Sequence, residues 1–90
     1  MLHLRGSIHS DRPYIVFLHA IGTSGWMWQR QFQQLTDFSC LAPDLPGHGL
    51  SRRVPWRSLE QSADMVATII REHIPSGRSH VVGLSLGSYV

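Results

Sequence analysis

A serine lies between two glycines in the stretch Gly83-Leu84-Ser85-Leu86-Gly87, directly after an apolar run. On a sharp turn between a strand and a helix, a serine projects its hydroxyl above the sheet, and a Cβ two positions away would collide with the adjoining backbone. The first N–H groups of the following helix face any negative charge that develops on a bound oxygen. The pattern predicts a nucleophilic Ser85, although five residues alone also fit an ordinary turn.

Two further glycine-bearing loops follow apolar runs. The first reads HAIGTSG at 19–25 and the second reads PDLPGHGLS at 43–51. Because reactive groups of an open parallel sheet lie in loops at the carboxyl ends of its strands, we expect both loops to meet the serine turn at one edge.

Three apolar runs predict the strands that carry these loops, at 14–19, 39–42 and 80–84. Their apolar residues are consecutive, which is typical of strands buried on both faces. A weaker candidate strand covers 2–8. The order of strands and helices predicts an α/β fold with a parallel sheet and right-handed crossovers.

Helical spacing of Trp28, Phe32 and Leu35 predicts a first helix between the first two of these runs, with Thr23 or Ser24 as its cap. A second helix is predicted from the capping box formed by Ser58 and Gln61. Its apolar stripe consists of Leu59, Ala63, Val66, Ile70 and Ile74, and Pro75 and Gly77 end it.

In the order and context of its three loops, the chain resembles the α/β-hydrolase fold family. The stretches FLHAIGTSGWMW, DLPGHGLS and GLSLG carry the resemblance, which covers nearly the whole chain. It implies the amino-terminal part of a three-layer α/β/α sandwich and attack on an ester or related carbonyl through an acyl-enzyme, without a cofactor. By this resemblance Ser85 is the nucleophile, and the backbone N–H groups of Leu86 and Ile21 form the oxyanion hole.

One position departs from the family pattern. The family has glycine directly after the histidine of the first loop, where this chain has Ala20. A methyl group at this position is placed to shift the loop that presents the Ile21 N–H and so to weaken the oxyanion hole. Loss of one oxyanion donor reduces transition-state stabilisation by about 3 to 4 kcal/mol. Gly22 is the residue that would absorb the strain.

Other reactive side chains favour structural roles. In the resembled family, histidines at the positions of His19 and His48 order their loops by hydrogen bonds. Asp44 is expected to brace its loop, and Cys40 and Trp28 to lie in the core. For Trp26 and Trp56 the sequence does not distinguish between lining an acyl-binding cleft and other roles.

Several function classes are excluded or left open. The D-x-x-G stretch also resembles a GTPase loop, but the chain has no lysine for the phosphate-binding loop that a GTPase requires. Acyl transfer to an alcohol or thiol shares the predicted site. Carbon–carbon bond hydrolysis and cofactor-free peroxidation also share these motifs. A non-enzymatic alternative is a remnant or binding module that kept the fold and lost the chemistry.

Composition sets further bounds. The net charge is +2 and the eight arginines are scattered, which disfavours a nucleic-acid or membrane surface. A single cysteine excludes an internal disulfide, and no metal-ligand spacing occurs. No leader segment is evident, so we expect a cytoplasmic protein that acts on a small ester-like molecule, of undetermined oligomeric state.

A serine nucleophile needs a histidine base oriented by a carboxylate, and in this fold both follow the serine in chain order. The chain reaches only Val90 after Ser85, and His73 and His80 are expected at the wrong side of the sheet. We therefore expect residues 1–90 to be a single incomplete domain, marginally stable and with little turnover by itself.

Overall fold

The computed structural model describes residues 2–9, 12–74, 76, 78–84 and 86–90. Its strands are β1 (Leu4–Ser7), β2 (Tyr14–Leu18), β3 (Ser39–Pro43) and β4 (His80–Gly83), and its helices are α1 (Gln29–Gln34), α2 (Leu59–His73) and α3 (Leu86–Tyr89). Short 3₁₀ turns cover Gly25–Trp28 and Gly49–Ser51. The predictions that concern Ser85, Pro75 and Gly77 lie outside the described residues.

The four strands form one sheet in the order β1-β3-β2-β4. β2 pairs in parallel with both β3 and β4, so that Val16 lies opposite Leu41 on one side and Val81 on the other. This confirms the predicted α/β class with a parallel sheet and flanking helices. β1 confirms the weaker strand prediction, but it pairs antiparallel with β3 and makes the sheet mixed.

Side chains of β2 alternate between two apolar layers, as expected for a pleated strand with both faces covered. Ile15 and Phe17 pack on one face with residues that include Trp28, Phe32 and Cys40. Val16 and Leu18 pack on the other face in a second cluster, which also contains Tyr14, Leu41, Leu45, Val66 and Ile74. The prediction that Trp28 and Cys40 are core residues is confirmed.

The first helix differs in detail from its prediction. It begins as a 3₁₀ turn at Gly25, and α1 ends at Gln34, one residue before Leu35. Ser24 occupies the N-cap position, but its side chain makes no capping bond. The Gly25 N–H instead donates to Asp44 Oδ1 at 2.6 Å, so a side chain from a distant loop holds the start of this helix.

The second helix begins as predicted, because Ser58 Oγ accepts a hydrogen bond from the Gln61 N–H at 3.0 Å. Val66 and Ile69 are buried on its inner face. The prediction was wrong for Leu59, which is 39% exposed in the first turn. None of the described helices is long and apolar enough to cross a membrane.

The prediction that β4 is buried on both faces was wrong. Val81 and Val82, which point to opposite faces, are 54% and 41% exposed. β4 lies at the edge of the sheet, and within the described part of the chain it pairs only with β2. The two apolar layers form over the central strands β2 and β3, which leaves β4 uncovered on both faces.

Candidate active site

The end of β2 and the start of α3 are in direct contact. The Leu84 N–H donates to the Leu18 carbonyl at 3.1 Å. A Cβ on Gly87, in the first turn of α3, would lie 2.6 Å from the Leu18 carbonyl carbon. This confirms that Gly87 must be small, while the same requirement at Gly83 stays a prediction. Leu84 and Gly87 therefore both lie against the end of β2, where the first loop begins.

His19 ties the first loop to the second. Its ring is fully buried, Nε2 accepts a hydrogen bond from the Leu45 N–H at 2.9 Å, and Nδ1 lies 2.8 Å from the Ala20 carbonyl oxygen. Because Nε2 is the acceptor, the proton of the neutral ring is on Nδ1, which donates to Ala20. Burial lowers the pKa of His19, and the bond to Ala20 opposes this only in part. The prediction that His19 orders its loop is confirmed.

His48 packs beside His19, with ring centroids 5.0 Å apart. Its Nδ1 lies 3.0 Å from the Pro46 carbonyl oxygen, within the same loop. This hydrogen bond closes the loop on itself, as predicted for a residue that orders it.

Asp44 is a second connection between the two loops. Its buried carboxylate accepts hydrogen bonds from the Gly25 N–H at 2.6 Å and the Leu50 N–H at 2.9 Å, and Arg5 contacts both of its oxygens. Burial alone would raise the pKa of Asp44, but Arg5 and the two N–H groups outweigh it and hold that pKa below the ordinary value. The prediction that Asp44 braces its loop is confirmed.

The two loops also pack closely. A Cβ on Gly49 would lie 2.7 Å from Ser24 Cβ and 2.8 Å from the Asp44 carboxyl carbon. With the hydrogen bonds of His19 and Asp44, this packing fixes the first loop against the second at three places.

Ile21 lies at the tip of a tight turn in the first loop. The Thr23 N–H donates to the Ala20 carbonyl at 3.2 Å, and Gly22 has φ +78°, as in a type II turn. The Ile21 side chain is 69% exposed. Gly22 thus takes the left-handed conformation in the turn that follows Ala20, the position that departs from the family pattern.

Leu86 is the first residue of α3, so its N–H has no acceptor within that helix. Ser85 itself lies outside the described residues. The assignments of Ser85, Leu86 and Ile21 to nucleophile and oxyanion hole therefore stay predictions. What the structure brings together is the loop that contains Ile21, the end of β2 and the start of α3.

Four exposed apolar side chains lie in the two loops or in the segments that follow them. They are Ile21, Trp26, Leu50 and Trp56, of which Trp26 and Leu50 are each 64% exposed. Since Gly25 and Leu50 bind the same Asp44 carboxylate, Trp26 and Leu50 belong to neighbouring backbone segments. Trp26 and Trp56 are thus surface residues, and a Cβ on Gly47 in the second loop would lie 4.0 Å from Trp56 Cβ.

Two contributors to the site were not predicted from the sequence. Arg5 reaches Asp44 from β1, 39 residues away in the chain, and no local pattern predicts such a pair. The Thr23 hydroxyl donates to the Ala20 carbonyl at 2.6 Å, whereas the sequence suggested only a helix cap. A threonine three residues after the acceptor, in a turn with glycine, is a signal that could have found it. No group of three candidate metal ligands occurs in the part of the chain that the structure describes.

Comparisons with known proteins agree with this arrangement. A family model described as the alpha/beta hydrolase fold matches residues 13–90. A 2-succinyl-6-hydroxy-2,4-cyclohexadiene-1-carboxylate synthase from Pectobacterium atrosepticum is 33% identical over 94% of this chain and 33% of its own length. A pimeloyl-[acyl-carrier protein] methyl ester esterase from Chromobacterium violaceum is 38% identical over 87% of this chain and 29% of its own length.

A solved structure gives the same result. The thioesterase domain from the curacin biosynthetic pathway superimposes with a TM-score of 0.79, at 26% identity, over 94% of this chain and 31% of that domain. The chain spans about a third of the length of the curated relatives it matches.

Proposed function

The chain belongs to the α/β-hydrolase fold family, and from this membership we propose that it carries the nucleophile and the oxyanion-binding loop of a serine hydrolase. Ser85 attacks an ester, thioester or related carbonyl of a small molecule, and the N–H groups of Leu86 and Ile21 bind the oxygen that becomes negatively charged. Release of the alcohol or thiol leaves an acyl-enzyme, which water hydrolyses.

One observation carries the proposal. The loop that holds Ile21 and the start of α3 lie against the same strand end, because Leu84 and Gly87 both contact Leu18. An oxyanion hole needs donors from these two segments on the same side of the nucleophile. The esterase and the thioesterase domain among the similar proteins support a carbonyl substrate.

We also propose that residues 1–90 are the first third of one hydrolase domain. The fraction of each curated relative that the chain covers supports this, as does the exposure of Val81 and Val82 on both faces of β4. On this proposal the histidine base and its carboxylate follow Val90, in a protein that resides in the cytoplasm. The 90-residue chain then shows little turnover above its Ser85→Ala variant.

The test is the coding sequence after the Val90 codon, followed by assay of its product. We expect further strands with a late Asp and His, and hydrolysis of a p-nitrophenyl ester that Ser85→Ala lowers at least about 1,000-fold. Ser79→Ala, a serine before β4, is the matched control and should keep full activity. Equal activity of the Ser85→Ala and unaltered proteins would contradict the proposal. Product analysis with competing alcohols and thiols separates hydrolysis from acyl transfer.

A further inference from the structure

The peptide bond between Ala20 and Ile21 is held at its carbonyl end by several donors at once. The Ala20 oxygen lies 2.6 Å from Thr23 Oγ1, 2.8 Å from His19 Nδ1 and 3.2 Å from the Thr23 N–H. A carbonyl oxygen has two lone pairs, and the two short bonds from the Thr23 hydroxyl and His19 occupy both, while the longer bond from the Thr23 N–H is a weaker third contact. Its orientation is therefore fixed within the turn.

Each side-chain donor has a defined proton. His19 must donate from Nδ1, because its Nε2 accepts from the Leu45 N–H and its ring is fully buried. The Thr23 hydroxyl also lies 3.3 Å from Met27 Sδ and 3.4 Å from His19 Nδ1. A thioether is a weak acceptor, a protonated Nδ1 cannot accept, and the Ala20 oxygen is closer than either. The hydroxyl proton therefore belongs to the bond with Ala20.

The orientation of the carbonyl determines that of the next N–H. In a trans peptide the C=O and N–H point in opposite directions, and the described residues contain no cis peptide. With the Ala20 oxygen directed into the turn, the Ile21 N–H is directed out of it, and none of the described residues accepts a bond from it. Hydrogen bonds to the carbonyl also polarise this N–H and make it a better donor.

We propose that Thr23 is a positioning residue: its hydroxyl, acting with His19, fixes the Ala20–Ile21 peptide plane so that the Ile21 N–H is presented to the substrate oxygen. The proposal rests on the proposed function for the role of that N–H. The orientation itself does not depend on catalysis. Thr23 contacts no substrate in this scheme and acts only through Ile21.

The test measures the direction of the Ile21 N–H by residual dipolar couplings in the ¹⁵N-labelled 90-residue chain, at a protein concentration low enough to keep the chain monomeric. Thr23→Val removes the hydroxyl with little change in shape, and Thr23→Ser keeps it. In the unaltered chain and in Thr23→Ser, we expect the Ile21 coupling to have the value of an N–H that points out of the turn. In Thr23→Val, we expect the coupling to differ from that value. Couplings of Val16 and Phe17 in β2 should stay the same in all three proteins.

An unchanged Ile21 coupling in Thr23→Val, or a departure in Thr23→Ser equal to that in Thr23→Val, would overturn the proposal. A second measurement needs no variant: a Thr23 hydroxyl proton held by the Ala20 oxygen should exchange with water more slowly than that of the exposed Thr36, and equally fast exchange would also overturn the proposal. If the Ile21 N–H points out of the turn while the Ser85→Ala comparison shows no serine-dependent hydrolysis, the positioning stands and the proposed function fails.

Discussion

Arg5 on β1 and Asp44, the residue directly after β3, form an ion pair with two contacts, Nε to Oδ1 and Nη2 to Oδ2, each 3.2 Å long. Asp44 is fully buried, and the Arg5 side chain is 27% exposed. The pair joins β1 to both loops of the candidate site, because the same carboxylate binds the N–H groups of Gly25 and Leu50.

Replacement of this carboxylate should be costly. Asp44→Asn leaves the Arg5 charge without its partner and replaces one acceptor oxygen by a donor group, so we expect the free energy of unfolding to fall by about 3 kcal/mol. Urea unfolding followed by circular dichroism measures this. Asp37→Asn, at an exposed position, is the matched control and should change stability by less than about 0.5 kcal/mol. Equal losses in both variants would show that the carboxylate does not brace the loops.

Stability should depend on pH through His19. Burial lowers the folded-state pKa of His19 below its ordinary value of 6.5, so between these two values the unfolded chain binds more protons than the folded chain. The free energy of unfolding therefore includes the full contribution of neutral His19 above pH 6.5. This contribution declines as the pH falls below 6.5, and it stops changing below the folded-state pKa. Urea midpoints measured across this range should show that decline.

His19→Gln separates this effect from other titrations. The variant is expected to be less stable at every pH, but its midpoint should change less over that window because the titrating ring is gone. The exposed His73→Gln serves as the control and should keep the dependence of the unaltered chain. The same pH slope in His19→Gln and in the unaltered chain would contradict the assignment.

Two glycines with positive φ should respond differently to alanine. Gly22 has φ +78° with no atom within 4 Å of an added Cβ, so Gly22→Ala should cost only the left-handed conformation, about 1 to 2 kcal/mol. Gly49 has φ +51° and an added Cβ would lie 2.7 Å from Ser24 Cβ, so Gly49→Ala should cost more than about 3 kcal/mol. Thermal unfolding compares the two, and a Gly49→Ala loss no larger than that of Gly22→Ala would show that the loops are not packed this tightly.

The exposed edge of β4 should make the chain self-associate. Val81 and Val82 are half exposed, and no strand within the described residues pairs with the outer edge of β4. We expect sedimentation coefficients of the 90-residue chain to rise with concentration, and Val81→Lys to suppress the rise. Gln33→Lys adds the same charge on α1, away from the edge, and should leave the association in place. If both variants suppress it equally, net charge and not the strand edge controls association.

The sequence determined features that depend on neighbouring residues. The consecutive apolar residues of β2 and β3 predicted buried strands, since a strand covered on both faces has no polar side to alternate with. The hydrogen bond between Ser58 and Gln61 was predicted because the two residues lie three positions apart. Such a bond forms whenever a helix starts at the first of them. Three loops in family order also identified the fold and the edge of the sheet where the candidate site lies.

Only the tertiary structure decided which distant groups meet. Arg5 and Asp44 are 39 residues apart and His19 and Leu45 are 26 apart, so their pairing depends on strand order and register and not on any local pattern. The exposure of β4 likewise follows from its place at the sheet edge, because a run with consecutive apolar residues is equally typical of a strand covered on both faces. The direction of the Ile21 N–H combines both levels: the turn is local, but the proton of His19 that helps to hold it is fixed by Leu45 in another loop.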